Sequence, residues 1–572
     1  MDAENTNHHD EDDDDGNSNN NNFRICISGF SKHTSPKELK SLFKLTDVDV
    51  RKVRLIRASS CHAFANVKSQ AAQTAVIEQL NGHKWHGRTI AVSKAAPVYR
   101  GANSNSTTNT NDDKQKATSS SSASPSEPTT ENSMLDSVAP WRDVSYDEQL
   151  TRKQTASEKL LLAITNEMKS VGVKALPEKH VLSAIVASPV ARAYRNKCEF
   201  TVGRNLAGDI TVGFVCGRNS KRNQQQQLVW SPRNCPHISS AMKLAVSEFE
   251  DFVKHSSDSI YDDSTKQGFW RMLTARQFTA DFMLIVTVNA DANETHSDER
   301  VLSAVRMLRA RFLPDVTEDS SHRSSAPQLR VTSLYLHLQR QLADAPVYKL
   351  IAGAPFVYET VLNRRFRVSP AAFFQTNTAA AEELYLTVGR LAQLNADSVL
   401  LDICCGTGTI GISLASRCRL VLGLEICGES VRDAKKNAAE SAATNCRFLC
   451  GPAERSFNDL KYLLPADVND ALLEGSSSSD DASKRRLHLV GVVDPPRAGV
   501  HSRLIQWMRR VHSLTRVVYV SCDPNAAAAN FTALCRPQSN RFAGSAFRLR
   551  HVVPVDMFPQ TAHCEWVLLF ER

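Results

Sequence analysis

The stretch Val399–Glu425, VLLDICCGTGTIGISLASRCRLVLGLE, restricts what this chain can become more than any other. Apolar Val399, Leu400 and Leu401 run into Asp402, a pattern that reads as a buried strand closed by a carboxylate. The glycines of Cys404-Cys405-Gly406-Thr407-Gly408-Thr409 let the backbone turn tightly and approach a ligand. Ile410–Ala415 reads as a helix, and Leu420–Leu424 as a second buried strand ending in Glu425. An acid closing the second strand of a strand–turn–helix–strand unit can hold the ribose hydroxyls of an adenosine. The turn lacks the third glycine of the dinucleotide fingerprint, so nothing in it specifically cradles pyrophosphate.

The residues around this unit extend it into an α/β domain. Phe373-Phe374-Gln375 precedes a predicted helix from Thr378, and the glutamine offers a donor and an acceptor to a planar ligand. A helix over Ser430–Glu440 and a strand at Cys446–Leu449 follow. The tract GSSSSDDASKRR within 465–486 reads as a surface insertion with nothing to give a core. Leu487–Val493 is a buried strand delivering Asp494-Pro495-Pro496-Arg497, at the edge where open α/β sheets bind ligands. Val517–Val520 is the next strand, followed by Ser521-Cys522-Asp523-Pro524, with Pro524 suited to the first turn of a helix. Cys522 thus stands ahead of a helix N-terminus, whose dipole is expected to favour its thiolate. A loop then leads to a last strand starting at Glu565, a candidate base, with His563 two residues away competing for that role.

Upstream, the chain is long enough for three or four domains. Residues 1–22 are rich in Asp, Asn and His and are expected to be a disordered acidic tail. The first sixteen hold eight of the 61 acids and no Lys or Arg, so the remainder carries 69 bases against 53 acids. A body that basic points to a polyanionic partner. Over 23–98, strand and helix patterns alternate as βαββαβ, and this order resembles the RNA-recognition motif, with Ile25–Phe30 and Ser60–Val67 in its base-stacking positions. Cys26 stands where an aromatic is expected, which leaves Phe64 and His62 as the platform. Residues 99–137 read as a flexible Ser/Thr/Asn-rich linker. A helix from Tyr146 to Met168 and a strand-rich stretch follow, and 138–355 is read as one central α+β RNA-binding domain, with Arg195, Lys197, Arg271 and Arg276 as candidate phosphate ligands. No apolar run reaches membrane-spanning length and the N-terminus is acidic, so a soluble intracellular protein of cytoplasm or nucleus is expected. The fourteen cysteines show no CxxC pair or zinc-finger spacing, so they read as reduced thiols and no metal is expected.

FFQTN, DICCGTGTIG, Glu425, DPPRAG, SCDP and MFPQTAHCE together resemble the RNA uridine-C5 methyltransferase family, over about Gln149–Arg572. AYRNKCEF at Ala193–Phe200 is similar to that family's preceding domain, and an RNA-recognition motif ahead of the enzyme resembles its eukaryotic tRNA branch. The resemblance implies a Rossmann-like class I methyltransferase domain over 356–572, interrupted at 466–486. It implies S-adenosylmethionine as cofactor, held by Gln375, Cys404, Gly406, Glu425 and Asp494. Cys522 is implied as nucleophile and Glu565 as base. Cys404 and Thr409 depart from the aromatic and asparagine that relatives often carry. RNA, tRNA in particular, is the implied partner; DNA and membranes are not, and a monomer is the default. Carbon 5 of uracil is a poor nucleophile, and addition of a thiolate at carbon 6 is what lets it accept a methyl group. Methylation of ribosomal RNA uridine or of cytosine, and a non-catalytic RNA-binding or chaperone role, are the alternatives. Against cytosine, DPPR carries no cysteine, which leaves Cys522 as the one candidate.

Overall fold

The computed structural model describes residues 23–95 and 131–572, apart from 31–33, 58–60, 175–179, 219–226, 291–297, 314–328, 340–346, most of 457–486 and single residues at 35, 44, 47, 49, 68 and 541. The expected acidic tail, the expected linker up to residue 130 and the expected insertion lie outside the described residues, with one exception. Val468, inside the 466–486 span, is described and buried. The chain divides into two compact units, Met1–Ser120 and Ser121–Arg572.

In the first unit, strands Phe23–Ser28, Val50–Arg57, Cys61–Val67 and Ala91–Ala95 form an antiparallel sheet. Their spatial order is second, third, first, fourth, and helices Pro36–Phe43 and Gln70–Leu80 complete a βαββαβ sequence. Strand alternation turns Ile25, Ile27, Ala63 and Ala65 toward Leu39, Leu42, Val76 and Leu80. Cys26 and Phe64 face each other in register on the opposite side of the sheet.

The second unit holds two seven-stranded sheets. The central one runs in space Val347–Gly353, Ser333–Gln339, Phe282–Asn289, Trp270–Gln277, Lys197–Arg204, Ile210–Arg218, Gln227–Trp230. Helices Ser240–Lys254 and Glu299–Phe312 bury Phe249, Leu308 and Phe312 against its inner face. Glu131–Val138 is a helix as well, and its Met134 and Leu135 enter the same core. Order therefore resumes inside the span expected to be linker, anchored by Met134 and Leu135 with Val138 packed beside them.

The other sheet consists of β1 (Ser398–Ile403), β2 (Leu420–Glu425), β3 (Cys446–Cys450), β4 (His488–Val493), β5 (Leu514–Ser521), β6 (Arg548–Val555) and β7 (Glu565–Glu571). Its order is 3-2-1-4-5-7-6, all parallel except β7, which runs antiparallel between β5 and β6. Every residue of β1 is buried, as a strand covered on both faces requires. Toward the other end of the sheet the helix Tyr146–Ser170 shares a core with β5, β6 and β7, its Leu161, Ile164 and Met168 joining Tyr519, Val552 and Trp566. The next segment extends the sheet edge through bridges Leu182–Val552 and Val186–Val555. These residues, read from the sequence as part of the central domain, thus pack with the second sheet. Their attachment is to strands near the C-terminus, which local periodicity does not reveal.

The attachment centres on a buried ion pair. Lys153 Nζ lies 2.5 Å from Asp556 Oδ1 and donates to the Phe558 carbonyl, and both side chains are fully buried. Tyr146 donates to the other Asp556 oxygen at 3.1 Å, and Gln149 binds the Gln560 backbone at 2.7 Å. Burial lowers the Lys153 pKa, opposed by the charge of Asp556. Removing one partner leaves the other charge buried alone, so Lys153→Ala should cost about 3–5 kcal/mol in urea unfolding. An unchanged unfolding midpoint would show the pair to be dispensable.

Candidate active site

The candidate residues collect at the carboxyl edge of the second sheet, and strand register explains why. Ile403 pairs with Leu424 on one side and with Val493 on the other, so Cys404 lies beside Glu425, the last residue of β2, and Asp494, just past β4. Asp494 is tied to that row by its N–H, which donates to the Ile403 carbonyl at 3.1 Å. On the next strands Ser521 pairs with Trp566, so Cys522 follows that pair on β5 while Glu565 precedes it on β7. Antiparallel register thus sets the thiol and the carboxylate across from each other, though 42 sequence positions separate Cys522 from Glu565.

The turn after β1 is built from left-handed backbone at Cys404, Gly406 and Gly408, with φ of 62°, 54° and 80°. At Gly408 a Cβ would come within 2.9 Å of Ile412 and 3.1 Å of Phe448, so both backbone and packing require glycine. At Gly406 a Cβ would meet nothing within 4 Å, which leaves the turn open where a ligand would approach. Glu425 braces the turn: one carboxylate oxygen accepts from Gly406 N–H at 3.0 Å and the other from Cys427 N–H at 2.8 Å. Ile426 beside it is 69% exposed, an apolar side chain at the rim that the sequence reading did not single out. Asp402, which closes β1, is wholly buried; it accepts from Gly411 N–H at 2.9 Å and burial raises its pKa to about 7.

Gln375 is buried and reaches Asp494 Oδ2 with its amide nitrogen at 3.5 Å, a long contact. Its backbone carbonyl accepts from Asn196 Nδ2 at 2.9 Å. Asn377 caps the helix Thr378–Ala392 and donates to Ser188 Oγ and the Met557 carbonyl. The two aromatics before Gln375 part company: Phe374 packs on Phe278, whereas Phe373 is 63% exposed.

Electrostatics at the thiol differ from the expectation. Burial first, then the negative charges of Glu565 and Asp494, push the Cys522 thiol up to about 11. The helix Pro524–Cys535 does begin after Cys522, but Asp523 caps it, accepting from Ala526 N–H at 3.0 Å. Burial and the neighbouring acids therefore prevail at this thiol, and the helix start does not bring its pKa down. Glu565 is buried at the start of β7, with Oε2 lacking a hydrogen-bond partner. Burial and then the charge of Asp494 raise its pKa, and burial raises that of Asp494 too. His563 lies exposed on the preceding loop. Among the described residues no group of three His, Cys, Asp or Glu side chains could hold a metal ion.

The basic candidates of the central sheet serve different ends. Arg276 is buried and donates to the carbonyls of Pro370 and Ala372, so it fixes the segment leading to Gln375 and cannot meet phosphate. Lys197 pairs with Glu199 at 2.7 Å, and Arg195 donates to the Lys197 carbonyl. Arg271 lies over the Tyr261 ring, 4.3 Å from its centroid.

Sheet order 3-2-1-4-5-7-6 with only β7 reversed, and an acid closing β2 and another following β4 beside a glycine turn, define an α/β domain of the methyltransferase kind. Within that class, the chain belongs to the tRNA (uracil-5-)-methyltransferase family. That family's sequence model matches residues 322–572. The chain is 34% identical over 570 residues to human "tRNA (uracil-5-)-methyltransferase homolog A", covering 96% of this chain and 83% of the relative. To the zebrafish (Danio rerio) homolog B it is 34% identical over 479 residues, 78% of this chain and 89% of the relative. A crystal structure of Pyrococcus abyssi tRNA (uracil-54, C5)-methyltransferase with S-adenosyl-L-homocysteine is similar at 21% identity and TM-score 0.47, over 78% of this chain and 87% of that one.

The thiol environment has a direct consequence. In the free protein, Cys522 should react with iodoacetamide more slowly at pH 8 than the exposed Cys450, and its rate should climb beyond the range of an ordinary thiol. Glu565→Gln should shift that rise to lower pH, read by mass spectrometry of the Cys522 peptide. A Cys522 profile centred below pH 8 would contradict the structure.

Proposed function

We propose that the protein methylates carbon 5 of a uridine in tRNA, the T-loop uridine by family membership, through a covalent adduct with Cys522. The observation that carries this reading is the antiparallel register that sets Cys522 against Glu565 at the open edge of the sheet. Glycine turn, braced acid and open rim fit an adenosine-bearing methyl donor. Glu425 would take the ribose hydroxyls, Ile426 would lie against the base, and Gly406 with Cys404 would form the floor. Gln375 and Asp494 would line the same cleft nearer to Cys522. S-adenosylmethionine bound there supplies an electrophilic methyl group.

Every other step belongs to the chain and the pyrimidine. Cys522 gives up its proton to solvent water in the open cleft as its sulfur bonds to carbon 6, which makes carbon 5 an enolate carbon able to accept the methyl. The methylated carbon 5 then holds a proton that Glu565 removes, and the carbon–sulfur bond breaks to release the ring and the thiolate. A base whose pKa is raised by burial suits this removal, because the ordinary carboxylate is too weak a proton acceptor near neutral pH. The target must leave its stack to meet both groups, so base flipping belongs to the mechanism. The βαββαβ unit resembles an RNA-recognition motif and would add RNA contact through Phe64, with Cys26 in place of an aromatic limiting stacking on that face.

Cys522→Ala should abolish 5-methyluridine formation while leaving tRNA binding within about two-fold. Glu565→Gln should accumulate a slow-migrating protein–RNA adduct on denaturing gels, because methyl transfer proceeds and elimination stalls. With wild type, kcat should fall as pH drops through the raised carboxylate pKa, since the base must be ionised. Residual turnover by Cys522→Ala above a hundredth of wild type would remove the covalent route.

A further inference from the structure

We infer that the open end of the central sheet is a nucleotide subsite, where RNA engaged at the active site lays down a base against the Tyr261–Arg271 pair and a phosphate beside Arg204. The inference rests on reading the protein as an RNA methyltransferase and adds a second point of contact to it. A cleft of about 340 Å³ lies there, lined by Thr201, Arg204, Tyr261, Arg271 and Met272 among others, within the range of small ligand sites.

Strand register shows where the cleft lies relative to the chemistry. Lys197 pairs with Arg276, Glu199 with Thr274 and Thr201 with Met272, so these residues share one face of the sheet. At one end of that face Arg276 holds the Pro370–Ala372 segment, and Asn196, just before the strand, holds Gln375. At the other end the face opens into the cleft, five to eight residues from Asn196 or roughly 17–27 Å at the strand rise. That separation spans several nucleotides, so one RNA can occupy both places.

The chemistry of the lining favours a nucleotide. The Arg271 guanidinium is laid 4.3 Å over the Tyr261 ring, and no carboxylate pairs with it among the described residues. Such a planar pair, with both side chains half-exposed, offers a stacking surface to any base. Arg204 is exposed and fixed by one nitrogen to the Gly208 carbonyl at 2.7 Å, which leaves the rest of its fork for phosphate. The two acids of the lining are engaged within their own loop. Asp263 pairs with Lys266 at 2.7 Å, and Asp262 accepts from the Ser264 N–H and hydroxyl. Asp262 keeps its charge, so two guanidinium groups stand against one carboxylate and the cleft stays net positive.

The test uses the full chain with a tRNA transcript and with a short stem-loop that carries the target uridine but ends before the cleft. For tRNA, Tyr261→Ala should raise Kd and KM by about ten-fold with kcat unchanged, and Tyr261→Phe should restore both. Arg204→Gln should reduce the slope of log Kd against log salt by about one. On the stem-loop all three variants should equal wild type. Wild-type tRNA affinity in a Tyr261→Ala/Arg204→Gln double variant overturns the subsite, as does an equal loss on both RNAs. Failure of wild type to form 5-methyluridine would strike the functional reading instead, and it would be seen without any variant.

Discussion

The insertion of β7 between β5 and β6, running against all other strands, is the constraint on which the site depends. A parallel strand in that place would present its last residues at the carboxyl edge and bury its first ones at the opposite end. Reversal brings the first residue, Glu565, to the edge where β5 delivers Cys522. The strand is held there by ladders on both sides and by burial of Trp566, Val567, Leu568, Leu569 and Phe570 on alternating faces. A slip of one residue would exchange the faces of all five, forcing Trp566 and Phe570 into space packed for other side chains, and would carry Glu565 away from the thiol.

What holds the loop before β7 lies far away in sequence. Lys153 and Gln149, on the helix Tyr146–Ser170, reach Asp556, Phe558 and Gln560, and Ser157 accepts from the Trp566 indole at 3.1 Å. Tyr194, just ahead of Asn196, donates to the Pro559 carbonyl at 3.0 Å. The same packing that fixes Glu565 also dries it, and drying works against charge. Glu565 and Asp494 are pushed up, and Cys522 between burial and two acids is held as a thiol. A thiol held this way resists alkylation and oxidation until a partner in the cleft accepts its proton.

The second sheet was legible because parallel strands buried on both faces appear as continuous apolar runs, and their ends announce the cleft. Val399–Asp402, Leu420–Glu425, Leu487–Val493 and Val517–Ser521 are such runs, and Glu425, Asp494 and Cys522 follow from where they stop. Pairing across the sheet is not written in any single run, so the facing of Cys522 and Glu565 came only from resemblance to a family. Charge was the least legible quantity. Arg276 and Arg271 look alike in sequence, yet one is buried under backbone carbonyls and the other lies open on an aromatic ring. The helix argument at Cys522 failed because burial, and then the charges of Glu565 and Asp494, outweigh anything the helix terminus offers the thiolate.

The strand Lys197–Arg204 joins these themes. Asn196, immediately before it, donates to the Gln375 carbonyl and Thr378 hydroxyl, so the central sheet orients a residue of the cleft through backbone, not through charge. Further along, the same strand ends at an open face with exposed Arg204. Such a rigid rod fixes the distance between two places on a substrate more firmly than a loop can, because strand length does not fluctuate with side-chain rotamers. An RNA that touches both ends is therefore measured as well as bound. On the proposed function, specificity for a folded RNA would arise from spacing between the target uridine and a second nucleotide, without any base edge being read at the reacting ring.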